Sequence, residues 1–188
     1  MESEIISILN ESIKIKESIK DLAPLIKKIS EEIINAYRNK KKVVLFGNGG
    51  SAADAQHIAA EFVGKFYKDR ESLPSLAFHT NTSVVTAIAN DYGYEYIFER
   101  QVSSFVEGGD IAIGISTSGN SLNVINGLIK AKELGAITIG FTGLKENKIE
   151  RIVDFSLKIP SNDTPRIQEA HITVGHIICY LVEKELFG

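Results

Sequence analysis

The feature that most narrows the folding options of this chain is an alternation that begins after Lys42. Short runs rich in β-branched residues, Val43 to Phe46, Ser75 to Phe78, Ile111 to Ile115, Ile137 to Phe141 and Phe155 to Ile159, are separated by turn residues and longer helical stretches. The spacing between them predicts helices over Ser51 to Phe66, Ser83 to Asn90, Tyr96 to Val106, Ser121 to Leu134 and Pro165 to Leu186. Strands that alternate with helices pair in parallel, because each helix returns the chain to the starting edge of the sheet. The expectation is an α/β fold: a three-layer, doubly wound, five-stranded parallel sheet with helices on both faces.

Ahead of the sheet, Ile5, Leu9 and Ile13, then Ile19 and Leu22, then Ile26, Ile29, Ile33 and Tyr37 recur at helical spacing. Two amphipathic helices over residues 1–38 follow, with Pro24 at their junction. Their apolar stripe needs a cover, which either the α/β core of residues 42–188 or a second subunit can supply. At 188 residues the chain is expected to form one domain. Its 44% hydrophobic and 24% charged residues are spread along the whole length, which excludes disorder. A net charge of -3 leaves no broad basic surface, so small molecules are favoured over nucleic acid as partners. Cys179 has no partner for an intramolecular disulfide, and charges interrupt MESEIISILNESIKIKES too often for a signal peptide or a membrane span. A cytoplasmic location is expected.

Two strand-to-helix junctions stand out. VVLFGNGGSAADAQH offers Gly47, Gly49 and Gly50 for a tight turn, with Ser51 where a helix N-cap belongs. IAIGISTSGNSLNVI places Ser116, Thr117, Ser118 and Ser121 around Gly119 and Asn120. Both loops fall at the carboxyl ends of strands, where open α/β sheets bind ligands. Hydroxyls beside a helix N-terminus combine side-chain donors, free backbone amides and the positive end of the helix dipole, which suits a phosphate group. Turn-making alone accounts equally well for either loop taken singly. Neither loop matches a P-loop or a dinucleotide fingerprint.

His57 and Glu61 stand four residues apart on the helix after the first loop, hence on one face. The last helix carries Gln168, His171 and His176 within a stripe that otherwise reads as core. Gln168 and His176 are separated by roughly 12 Å of helix axis, which allows contributions from different subunits to one site. Imidazole, carboxylate and amide oxygen can together bind zinc, although the spacing matches no recognised zinc signature and histidines satisfied by ordinary hydrogen bonds are the more frequent case.

Taken together, GNGGSAADAQHIAAEF, AIANDYGYEYIF, GISTSGNS and TPRIQEAHITVGHIICYLVE resemble the sedoheptulose 7-phosphate isomerases, or phosphoheptose isomerases, of the sugar isomerase (SIS) domain superfamily, whose sheet is flavodoxin-like. The resemblance runs in order through almost the whole chain. It implies conversion of sedoheptulose 7-phosphate to glycero-manno-heptose 7-phosphate through a cis-enediol, the first step towards the heptose of bacterial lipopolysaccharide or capsule. It also implies a homotetramer with active sites at subunit contacts and one zinc per site on His57, Glu61, Gln168 and His176. The substrate contacts it carries over are Asn48, Gly49, Gly50, Ser51, Glu61, Asn90, Asp91, Ser116, Thr117, Ser118, Ser121 and Gln168. Glu61 is implied as the carbon acid-base and His176 as the proton shuttle on the oxygens, with acid-base and metal-ligand roles both open for these two. Thr164 and Pro165 stand where some members carry an acidic residue.

Two other readings accompany this resemblance. SIS-domain proteins that bind a replication initiator share the glycine loop and the R-I-Q-E stretch, but lack the acid and the base found here at Glu61 and His176. Related isomerases or sensors for other phosphosugars usually carry additional domains.

Overall fold

The computed structural model describes all 188 residues. Its N-terminal region comprises α1 (Glu2–Ser18), a single 3-10 turn at Ile19–Leu22 and α2 (Ala23–Arg38), whose first turn contains Pro24. The remainder runs β1 (Val43–Gly47), α3 (Gly50–Val63), β2 (Ser75–Ala77), α4 (Thr82–Tyr92), α5 (Ile97–Phe105), β3 (Ile111–Ile115), α6 (Leu122–Glu133), β4 (Ile137–Thr142), β5 (Phe155–Lys158) and α7 (Thr164–Phe187). All five strands are parallel, in the order β2-β1-β3-β4-β5.

The strands read as unbroken apolar runs because both faces of the sheet are covered. On β1, Val43 and Leu45 join the core made with α2, α3 and α7, whereas Val44 and Phe46 join the one made with α5 and α6. Each fully buried Ile or Phe in these layers contributes about 1.5–3 kcal/mol relative to an exposed one. The order of the strands matters for function. From β1 the chain passes outward to β2 and then crosses back to β3 on the other side of β1, so the loops leaving β1 and β3 diverge and open a crevice at the carboxyl edge. The register Gly47↔Ile115 sets the residues that follow, Asn48 and Ser116, side by side at that edge.

Two details differ from the sequence expectation, and a third decides a point it left open. Ser51 is not the cap of α3: Gly49, at φ +55°, takes that place, and Ser51 is buried in the first turn. The helix ends at Val63 rather than Phe66, where the amide of Gly64 donates to the Ala60 carbonyl and the amides of Phe66, Tyr67 and Lys68 turn to the Glu183 carboxylate. The two N-terminal helices also part company. The stripe of α2 is buried through Ile26, Ile29 and Ile33, but α1 buries no residue, and its Ile5, Ile6, Ile8, Leu9 and Ile13 are 51–58% exposed. It is held by Ile15, half-buried against the core, and by polar contacts, with Ser12 donating to Glu169 and Arg166 to the Ile8 carbonyl. No helix is long and apolar enough to cross a membrane.

His171 is wholly buried on α7, with Nε2 3.2 Å from the Thr142 carbonyl and its ring against Phe141. Burial pushes its imidazole down to about 4, against the hydrogen bond to Thr142, which favours the protonated form. The unfolded chain therefore takes up a proton near pH 6.5 that the folded chain refuses until near pH 4. Stability should be full above pH 6.5 and fall by roughly 3 kcal/mol towards pH 4 from this group alone. Urea unfolding at a series of pH values should show that fall, and His171→Gln should flatten it; an unchanged slope in the variant would contradict the assignment.

Candidate active site

The site begins with two helices in close contact. A Cβ at Gly175 of α7 would lie 2.6 Å from Ile58 Cδ1 of α3, and one at Gly50 would collide with the side-chain amide of Gln168. These contacts pair the start of α3 with the start of α7, and the middle of one with the middle of the other, so the helices run side by side in the same direction. In consequence His57 of α3 meets His176 of α7.

Their Nε2 atoms lie 3.3 Å apart, and His57 Nε2 is also 3.1 Å from Glu61 Oε1. A ring nitrogen carries one proton or one lone pair, so His57 Nε2 cannot satisfy both neighbours with well-directed hydrogen bonds. Three donor atoms of His57, Glu61 and His176 within 4.8 Å of one another are what a shared cation requires, and two imidazoles with one carboxylate form a recognised zinc set. The Phe66 ring, 5.7 Å from the His176 ring, closes one side. His57 remains half exposed and Glu61 about a quarter exposed, so a small molecule can reach both.

The second half of the site lies at the sheet edge. Ser116 Oγ is 3.0 Å from Ser121 Oγ and 3.4 Å from Ser118 Oγ, which gathers three hydroxyls at the N-terminus of α6. Thr117 and Ser118 line a cleft of about 100 Å³ with Lys145, Ser161 and Thr164. Asn48 joins this loop to the glycine turn: its side chain and that of Asn123, in the first turn of α6, exchange two amide hydrogen bonds of 2.9 Å. The Tyr94 hydroxyl donates to the same Asn48 oxygen at 3.0 Å. From Gly50 to His57 the rise of α3 is roughly 10 Å, so the hydroxyl loops and the His–Glu cluster occupy neighbouring ends of one surface. A cleft of about 590 Å³ lies elsewhere, between α2 and the end of α7, and contains none of these residues.

The structure thus brings together His57, Glu61 and His176 in one group, and Asn48, Gly49, Gly50, Ser51, Ser116, Thr117, Ser118 and Ser121 around the crevice. Gln168 stands with the second group, its amide against Gly50, two turns from His176. Asn90 and Asp91 pair with each other at 2.7 Å on the exposed end of α4, and the chain returns from them to the crevice through Tyr94.

Tyr94, Asn123 and Asp54 are site residues that the sequence did not single out. Asp54, three residues before His57, has Oδ2 buried without a hydrogen-bond partner, and burial pushes its carboxyl up to about 6, with His57 drawing it down. Its only sequence signal is the i, i+3 spacing to His57, which exposed helix pairs share.

A family model for the SIS domain matches residues 9–143. The phosphoheptose isomerase of Aneurinibacillus thermoaerophilus is 53% identical over all of this chain and 96% of its own length. That of Clostridium acetobutylicum is 57% identical, with 96% and 93% covered. Among solved structures, a phosphoheptose isomerase from Francisella tularensis superposes with a TM-score of 0.93 at 29% identity, covering 97% of both chains. Phosphoheptose isomerase GmhA from Neisseria gonorrhoeae gives 0.92 at 37% identity, covering 97% and 98%.

The convergence of donors has a direct consequence. Calorimetric titration of chelator-stripped protein with a divalent cation such as Zn²⁺ should show stoichiometric binding that His57→Ala and His176→Ala each abolish. Undiminished binding by both variants would place the cation elsewhere.

Proposed function

The chain belongs to the SIS domain family and, within it, to the phosphoheptose isomerases, and from that membership we propose that it converts sedoheptulose 7-phosphate to D-glycero-D-manno-heptose 7-phosphate through a cis-enediol. The observation that carries the mechanism is the meeting of the Glu61 carboxylate and the His176 imidazole around His57, beside loops suited to an anion.

The phosphate is held by Ser116, Thr117, Ser118 and Ser121 with the free amides of α6. Asn48, Gly49, Gly50, Ser51 and Gln168 line the sugar, and Asn90 and Asp91 approach it from the end of α4. Glu61 removes a proton from the terminal hydroxymethyl carbon of the open-chain ketose. The freed C–H electron pair forms the enediol double bond while the carbonyl oxygen takes up a proton from His176. The reverse steps follow on the neighbouring carbon: Glu61, after exchange with water, delivers a proton there while the terminal hydroxyl gives its proton to His176, which yields the aldose. Orientation makes this feasible: the phosphate anchors one end of the seven-carbon chain and presents the other to Glu61.

His57, Glu61 and His176 fit zinc and would hold it; when bound, zinc polarises the substrate carbonyl. Gln168, which the family resemblance adds to the zinc set, lies at Gly50 two turns from His176, so it would join that set from a neighbouring subunit. The assembly is a homotetramer, for which the exposed isoleucines of α1 offer an apolar face. A free, buried Cys179 and a sugar phosphate substrate suit the cytoplasm, where the product feeds lipopolysaccharide or capsule heptose.

Glu61→Gln and His176→Gln should fold and assemble yet lose isomerisation of sedoheptulose 7-phosphate by ~100-fold or more. Near-normal turnover in both would refute the mechanism. Metal analysis should find about one zinc per site, and chelation should slow turnover; full activity in a metal-free preparation would remove zinc from the account.

A further inference from the structure

Arg70 and Glu183 form a buried ion pair with no part in the chemistry above. Their side chains are 2% and 3% exposed, and Arg70 Nε donates to Glu183 Oε2 at 2.9 Å. A buried pair of this kind contributes little net stability, because desolvation offsets most of the attraction, so its geometry has to explain its presence. Glu183 lies on α7, seven residues beyond His176 and on the same side of the helix. Besides Arg70 it accepts three consecutive backbone amides, from Phe66 at 2.9 Å, Tyr67 at 2.8 Å and Lys68 at 2.9 Å. Arg70 also reaches the end of α3: Nη2 donates to the carbonyl of Glu61 and Nη1 to the carbonyl of Phe62, at 2.9 and 3.0 Å, while Nη1 donates as well to the adjacent Glu71 carbonyl at 2.9 Å.

One end of the pair therefore grips the backbone of Glu61 itself. The other fixes Phe66, whose ring packs on His176. A guanidinium at the C-terminus of α3 also meets the negative end of that helix's dipole and satisfies carbonyls that have no partner within the helix. The pair spans the gap between the two helices and restrains both the carboxylate and the imidazole through backbone and ring contacts.

We propose that Arg70 and Glu183 are positioning residues for the isomerisation: their buried ion pair sets the distance between Glu61 and His176 by locking the last turn of α3 and Phe66 onto α7. This rests on the function proposed above, and wild-type turnover of sedoheptulose 7-phosphate, measured first, tests that reading separately. Arg70→Lys retains a charge for Glu183 but loses the fork that reaches the Glu61 and Phe62 carbonyls. Glu183→Gln retains the shape and loses the charge. With an active wild type, each variant should keep its KM within about twofold, since the hydroxyl loops lie at the far end of α3, while kcat per folded molecule falls ~10- to 100-fold, as for reacting groups displaced by a fraction of an ångström to 1 Å. Asp110→Asn serves as a control. That buried carboxylate holds Lys42 at the amino edge of the sheet, so its loss should lower the melting temperature and leave kcat per folded molecule unchanged. If Arg70→Lys and Glu183→Gln behave like the control, or raise KM alone, the pair is structural only and the proposal is overturned. Should both fail to fold, the double substitution Arg70→Met with Glu183→Leu leaves no unpaired charge and takes the same readout: wild-type kcat in it overturns the proposal, and a lowered kcat at unchanged KM upholds it.

Discussion

Everything at the site depends on two helices touching without a layer of large side chains between them. Gly175 accepts Ile58 where any Cβ would crowd it, and Gly50 accepts the Gln168 amide. A larger residue at either position would hold α3 and α7 apart, and the 3.3 Å approach of His57 to His176 has no slack to absorb that. The direction of packing matters as much as its closeness. Because the helices run parallel, the residues that begin them face the crevice together, and the residues two turns on form the His–Glu cluster together.

The sheet decides where that helix pair stands. Strand order β2-β1-β3 makes β1 and β3 neighbours whose connections leave in opposite directions, and the mutual amide pair of Asn48 and Asn123 ties their loops into one wall. An anion there meets neutral donors and the end of α6, a mode of recognition that is strong only where backbone amides and hydroxyls are already oriented. A protein with a net charge of -3 can hold a sugar phosphate on those terms. In the function proposed above, the phosphate contributes grip and the chemistry is left to groups two helical turns away.

What the sequence made legible follows from range. Two-sided burial turns Val43 to Phe46 and Ile111 to Ile115 into apolar runs, so the parallel sheet could be read directly, and the four-residue spacing of His57 and Glu61 declared a shared face. His176 joining them could not be read without a family resemblance, because the contact crosses 119 residues and exists only through helix packing. The same holds for Arg70 and Glu183, 113 residues apart, and for Asn123, which looks like any polar residue in a first helical turn. Ser51 misled for a local reason: three glycines offered several places for the chain to turn, and the backbone used Gly49 in the left-handed region. The stripe of α1 was equally periodic whether it faced the core or the outside, so periodicity could identify the helix but not what covers it.

The central claim is that a carbon-bound proton of the ketose passes through a protein group that exchanges with water before it returns to the neighbouring carbon. Turnover of sedoheptulose 7-phosphate by the purified protein in D₂O, followed by proton NMR, tests it most directly. The account predicts an aldose product carrying solvent deuterium on the carbon that had been the ketone. Product formed with no solvent deuterium at that carbon, or no product at all, would contradict it.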